Sequence, residues 1–80
     1  MAGVASQFIT LTDEYQLLPA NAINIVVVGV VSTPNLLCSG DNSTDHQSIT
    51  LAAGDNQITE HILHYVRLST GTAKLYYGVS

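Results

Sequence analysis

Cys38 is the only cysteine in 80 residues. No disulfide can form within such a chain, which excludes a disulfide-stapled secreted scaffold, and one thiol cannot hold a structural zinc. Basic side chains are almost as scarce: Arg67 and Lys74 stand against six acidic residues, for a formal net charge of −4. A phosphate backbone is normally met by clustered Lys and Arg, so no nucleic-acid partner is expected. The same scarcity speaks against an amphipathic membrane-surface helix. The apolar run at residues 22–31 is about half of what a helix needs to cross a bilayer. The opening MAGVASQ also lacks the positively charged start of a signal peptide. The reading is no membrane partner and no targeting segment.

What remains is one small domain. Ordering a residue costs roughly 1.5 kcal/mol and burying apolar area returns about 25 cal/mol per Å², which nearly cancel at this length. With disulfide and metal excluded, a partner subunit is the expected support. A surface built mostly from Ser, Thr, Asn and Gln, rather than charges, is compatible with close packing of like subunits.

Short runs of β-branched and aromatic residues, separated by Gly, Pro, Asn and Asp, predict an all-β fold, a small antiparallel β-sandwich or jelly-roll-like barrel. Residues 1–7 are read as an N-terminal arm and residues 8–80 as a single β-sandwich domain. FITLT (8–12) alternates, and DEYQLLP (13–19) adds a short extended piece ending at Pro19. INIVVVGVV (23–31) is a long strand closed by the turn chemistry of Ser32-Thr33-Pro34. LLC (36–38) is a short strand, and 39–48 is a polar, mobile loop. Residues 49–60 divide at a tight turn, Ala53-Gly54-Asp55-Asn56. HILHYVRL (61–68) and TAKLYYGV (72–79) flank Ser69-Thr70-Gly71 and read as a hairpin. Its inward set is Ile62, His64, Val66 and Leu68 facing Ala73, Leu75, Tyr77 and Val79; Leu63, Tyr65, Arg67, Lys74 and Tyr76 point out. A helical stripe through Ile58, Ile62, Tyr65 and Val66 is the lesser alternative, since good helix formers are missing.

The long strand poses the main question. Period two puts Ile23, Ile25, Val27, Gly29 and Val31 on one face and Asn24, Val26, Val28 and Val30 on the other. A core covers only one of these, and the 39–48 loop is too polar to seal the second. A neighbouring subunit is the better cover: burying a valine contributes up to about 1.5 to 3 kcal/mol. The expected interface is Val26, Val28 and Val30 together with Leu63, Tyr65 and Tyr76, in an obligate or near-obligate homo-oligomer, a trimer or dimer.

Few residues invite chemistry. His61 and His64, beside Glu60, would project to opposite faces of a strand, so His64 is read as a hydrogen-bonded residue near the core and His61 as exposed. A zinc or iron enzyme using His46, His61 and His64 is a distant third reading. Asp41, Asp45, Asp55, Asn42 and Asn56 lack the spaced ligands of an EF-hand and are read as turn-closing side chains. Asn42-Ser43-Thr44 is formally a glycosylation sequon, meaningful only in a secretory compartment that nothing else supports. No nucleophile elbow surrounds a serine, and Cys38, next to Leu36 and Leu37, reads as a small buried hydrophobe. Catalytic, cofactor-binding and metal residues are therefore expected to be none, and the chain is read as not an enzyme.

The order of pieces, TLTDEYQLLP, a hydrophobic strand, a polar loop, ITLAAGDNQIT and YVRLSTGTAKLYYGVS, resembles small β-sandwich structural proteins of tailed bacteriophages, capsid decoration (cement) proteins and fibre-associated modules. The matching positions are Thr10, Leu11, Tyr15, Pro19, Leu51, Gly54, Thr70 and Gly71, which shape turns and core. The resemblance implies a noncatalytic virion structural protein on the capsid surface, assembled in the host cytoplasm. Its partners would be the major capsid protein, or another virion protein, and itself. A chain opening on Met1 favours a separately made accessory over the tip of a longer fibre. The alternative it implies is a tail- or fibre-associated receptor- or glycan-binding module, using Tyr65 and Tyr76 or the 39–48 loop.

Overall fold

A computed structural model describes residues 7–79. All regular structure among them is β: β1 (Gln7–Leu11), β2 (Gln16–Leu17), β3 (Ala22–Val30), β4 (Asn35–Ser39), β5 (Gln47–Thr50), β6 (Gly54–Gln57), β7 (Tyr65–Leu68) and β8 (Ala73–Val79). They form two four-stranded antiparallel sheets, sheet A in the order β1-β8-β3-β6 and sheet B in the order β2-β7-β4-β5. The all-β sandwich expected from the alternation is present. Most of the arm, residues 1–6, lies outside the described residues, and Gln7 already belongs to β1, opposite Tyr77.

Pairing follows one rule. β1 bonds to β8, β2 to β7, β3 to β6 and β4 to β5, so the chain is a single antiparallel ribbon doubled at the β4–β5 loop. The ribbon is wound on itself until β8 meets β3 and β7 meets β4. This is a jelly roll, one of the arrangements by which antiparallel chains limit open sheet edges. Six of its seven connections cross between the sheets, and only β4–β5 stays within one.

Two expected hairpins are corrected by this winding. β7 lies in sheet B and β8 in sheet A, so Ser69-Thr70-Gly71 turns an arch across the sandwich. The turn expected at 53–56 is likewise corrected: Gly54, Asp55 and Asn56 lie in β6, and the chain crosses from β5 in sheet B to β6 in sheet A through residues 51–53. There Asn56 closes the arch: its Oδ1 accepts from Ala52 N at 3.0 Å and its Nδ2 donates to Ala52 O at 2.8 Å. The inward parity nonetheless holds through the middle of both strands, where Val66 and Leu68 meet Ala73, Leu75 and Tyr77 in the core. It fails at His64 and Val79, both exposed. β7 begins only at Tyr65, so residues 58–64 are irregular and period two does not reach His64.

The core lies between the sheets, with Leu11, Leu36, Leu51, Leu68, Leu75, Val27, Val66 and Cys38 fully buried. Two irregularities of β3 decide what else joins it. Between Ile23 and Val26 the chain takes three steps while β8 takes two, Gly78 to Tyr76, with Asn24 at φ 55. Between Val27 and Val30 it takes three steps against two on β6, Asn56 to Gly54, with Gly29 at φ 74. Each extra residue reverses side-chain parity. Ile25, Val27 and Val30 therefore point inward, while Ile23 and Val31 are 42% and 77% exposed.

Candidate interaction surface

The outer face of sheet A is built in rows by register. Phe8 of β1 stands opposite Tyr76 of β8, Tyr76 opposite Val26 of β3, and Val26 opposite Gln57 of β6. The next row is Thr10, Lys74 and Val28. The alternation of FITLT sets this up, because turning Ile9 and Leu11 toward the core forces Phe8 and Thr10 outward. Phe8 is 50% exposed, and its ring centroid lies 5.3 Å from that of Tyr76 in a tilted pair. Lys74 Nζ sits 5.1 Å from the Phe8 centroid, where its charge faces the ring's electron-rich surface. Lys74 is the one charged side chain in these two rows. Beside it, the φ-positive step at Gly29 opens a shallow depression of about 280 Å³ lined by Thr10, Val28, Gly29, Thr72, Ala73 and Lys74.

The six residues expected at an interface are thereby divided. Val26, Val28 and Tyr76 come together on this face, each half-buried. Val30 is corrected to the core, only 5% exposed, because the bulge before it turns it inward. Leu63 is half-buried and packs against the core from the 58–64 segment, with its N–H donating to Gln47 Oε1 at 3.2 Å. Tyr65 belongs to sheet B, opposite Leu17 and Ser39, so it cannot pair with Tyr76. A tyrosine platform joining Tyr65 and Tyr76 is ruled out by their separate sheets. Phe8 was missed, although the strict alternation of 8–12 was the signal that places it here.

The 39–48 segment does not cover the valines. It forms the ribbon tip, residues 40–46, and folds toward sheet B. Arg67 Nε donates to Asp45 Oδ1 at 3.2 Å and Nη2 to Oδ2 at 2.8 Å, while the Tyr15 hydroxyl also donates to Asp45 Oδ1. The guanidinium lies 5.3 Å from the Tyr15 ring centroid, and its Nη1 donates to Asp13 O at 3.4 Å. Within the tip, Asp41 Oδ1 accepts from Ser39 Oγ, Ser43 N and Thr44 N at 2.8, 3.0 and 2.9 Å. These bonds, Thr44 N–H foremost, hold the Asp41 carboxyl well below the usual carboxylate range. The tip is exposed but braced: Asp41 closes its turn as read from the sequence, whereas Asp45 is corrected from a turn-closing side chain to the ion-pair partner of Arg67.

Elsewhere the chemistry is spread out. Burial pushes the Cys38 thiol up to about 11, which leaves little thiolate at neutral pH. His46 Nδ1 accepts from Gly40 N at 3.2 Å, while His61 and His64 are both exposed. His61 and His64 border a cleft of about 190 Å³ at one end of the sandwich, with Asn24 and Glu60 above a floor of Ile25, Ile58 and Ile62. Among the described residues, no three His, Cys, Asp or Glu side chains gather closely enough to hold a metal ion.

Comparison of the chain with protein-family models, with curated proteins and with solved structures finds no match.

Proposed function

We propose that this protein is a noncatalytic structural subunit of a virus particle, a capsid decoration protein that packs onto the shell through the outer face of sheet A and assembles with copies of itself. The observation that carries this reading is the row Phe8, Tyr76 and Val26, with Val28 beside it, on a sheet face that no other segment of the described chain covers. Exposed aromatic and aliphatic side chains in register are what protein interfaces select, with charged residues depleted at their centres. The resemblance of the motif order to that of tailed-phage structural proteins supports the same reading. The jelly roll is a fold used by viral capsid domains as well as by lectins and cupins.

Magnitudes indicate how such a face would work. Four side chains, each already partly covered, contribute on the order of 1 kcal/mol apiece when sealed. Association costs at least about 4 kcal/mol in lost freedom. One copy alone would hold weakly, and linked copies would hold through multivalency. A cryo-EM map of the particle containing the chain tests the reading: jelly-roll density seated with Phe8 and Tyr76 against the shell is expected. Particles that assemble without the chain on their surface overturn it.

A further inference from the structure

We propose that two copies of this chain pair edge to edge through β1, antiparallel about a two-fold axis at Ile9, to give one continuous eight-stranded sheet.

Among the described residues the sandwich has four edge strands: β1 and β6 in sheet A, β2 and β5 in sheet B. Proteins protect such edges with short strands, charges, prolines, bulges or irregular glycines. β2 is two residues long and is followed at once by Leu18 and Pro19. β6 carries Asp55 and starts at Gly54, φ 96, where its register with β3 is broken. β5 is four residues long and grows directly from the braced tip. β1 is the longest of the four at five residues, and its register with β8 is unbroken from Gln7 to Leu11. It contains neither charge nor proline, and no charged side chain occurs anywhere in the first 12 residues, MAGVASQFITLT.

The free side of β1 can be read from its bonds. Thr12 O accepts from Leu68 N at 2.7 Å, and Thr10 O accepts from the Gln16 side-chain amide, so these carbonyls point away from β8. In an antiparallel ladder a residue's N–H and C=O point the same way, and the direction alternates. Phe8 and Thr10 therefore present N–H and C=O outward, while Gln7, Ile9 and Leu11 serve β8. The Thr10 carbonyl keeps a second lone pair beside Gln16.

A two-fold axis at Ile9 sets Phe8 of each copy against Thr10 of the other as bonded pairs, four backbone hydrogen bonds in all by symmetry. Ile9, half-buried at the rim of the core, then meets Ile9 of the second copy. On the outer face the row Val26, Tyr76 and Phe8 continues into Thr10 and Lys74 of the second copy, and no like charges oppose each other.

Area favours the same arrangement. Four strands about 4.8 Å apart and on average about six residues long present a face of roughly 400 Å², against about 800 Å² per partner in a standard interface. Two joined faces reach roughly that size. The need for a wider face rests on the packing role proposed above, whereas the choice of β1 follows from the edges alone.

Native mass spectrometry and sedimentation of the purified chain, with Thr10→Pro and Ile9→Cys, test the pairing. The wild type is expected to be a dimer. Thr10→Pro removes an outward N–H without touching the ladder to β8, so circular dichroism is unchanged while dimer affinity falls about tenfold or more. Ile9→Cys is expected to form a cross-linked dimer on mild oxidation, with buried Cys38 silent. A monomeric or trimeric wild type overturns the proposal. So does Thr10→Pro with undiminished affinity, or Thr50→Cys on β5 cross-linking where Ile9→Cys does not. If Thr10→Pro fails to fold, the two cysteine variants decide. None of these readouts involves a particle, so failure here leaves the sheet A packing role standing, and the reverse also holds.

Discussion

Arg67 of β7 grips Asp45 of the ribbon tip through two parallel hydrogen bonds, Nη2 to Oδ2 at 2.8 Å and Nε to Oδ1 at 3.2 Å, across 22 residues of sequence. The pair joins the doubled end of the ribbon to the middle of sheet B, and Tyr15 ties the β1–β2 connection to the same carboxylate. Three separate stretches are thus fastened at one point.

Arg67→Lys is expected to keep the charge and lose the fork, costing about 1 kcal/mol, since a lysine offers a point charge where the carboxylate wants two aligned donors. Urea unfolding measures the loss. Asp45→Asn should cost a similar amount, and the double variant little more than either single one, because the two residues act as a pair.

The tip should respond to acid in a defined direction. Asp41 is held below its ordinary value of 3.8 by Thr44 N–H first, then the Ser39 hydroxyl and Ser43 N–H. A carboxyl depressed in the folded state contributes its stabilisation above the ordinary range, and that contribution disappears as pH falls through the folded value. Amide exchange at Ser43 and Thr44 is expected to stay slow through mildly acidic pH and accelerate only in strong acid. In Asp41→Asn it should be fast throughout.

Gly29 sits at φ 74 with open space where a Cβ would stand. Gly29→Ala therefore meets no clash, only the left-handed backbone penalty of about 1 to 2 kcal/mol. Gly29→Asn should cost less, because asparagine tolerates that conformation. Thermal melts of the two variants separate backbone strain from crowding.

Cys38 should be chemically silent while the chain is folded. It is fully buried and burial raises its thiol to about 11. Labelling by a thiol reagent at neutral pH is expected to run at the rate of unfolding, so denaturant should speed it in step with the loss of circular dichroism. Rapid labelling of the native chain would contradict the burial.

Phe8→Ser removes a half-exposed ring and its contact with Tyr76. The isolated chain should lose only about 1 kcal/mol, the worth of one aromatic pair. Binding to the particle should be lost, as read by co-sedimentation. Unchanged binding would move the packing face away from sheet A.

Much of this molecule is legible along the chain. Alternation in FITLT, the β-branched run after Ala22 and the Gly, Asn and Pro punctuation reveal most of the strands, though Gly54-Asp55-Asn56, which reads as a turn, is itself β6, and the inward parity of Val66, Leu68, Ala73 and Leu75 follows from period two. Cys38, directly after Leu36 and Leu37, announces its own burial. These are local signals, carried by residues that touch in sequence.

Partnership was decided by the tertiary structure. Ser69-Thr70-Gly71 serves a hairpin or an arch equally well. Val66 and Leu68 face Ala73 and Leu75 across the core rather than alongside them, because the wound ribbon seats β7 and β8 in opposite sheets. The fate of Val30 turned on one extra residue at Gly29, which period two cannot foresee, since a bulge depends on what the neighbouring strand offers. Phe8 and Tyr76 meet only after nearly the whole chain has closed on itself. Strand character and inward side arise from short-range sterics and hydrophobic alternation, whereas pairing and the exposed aromatic row arise from contacts between residues far apart in the chain.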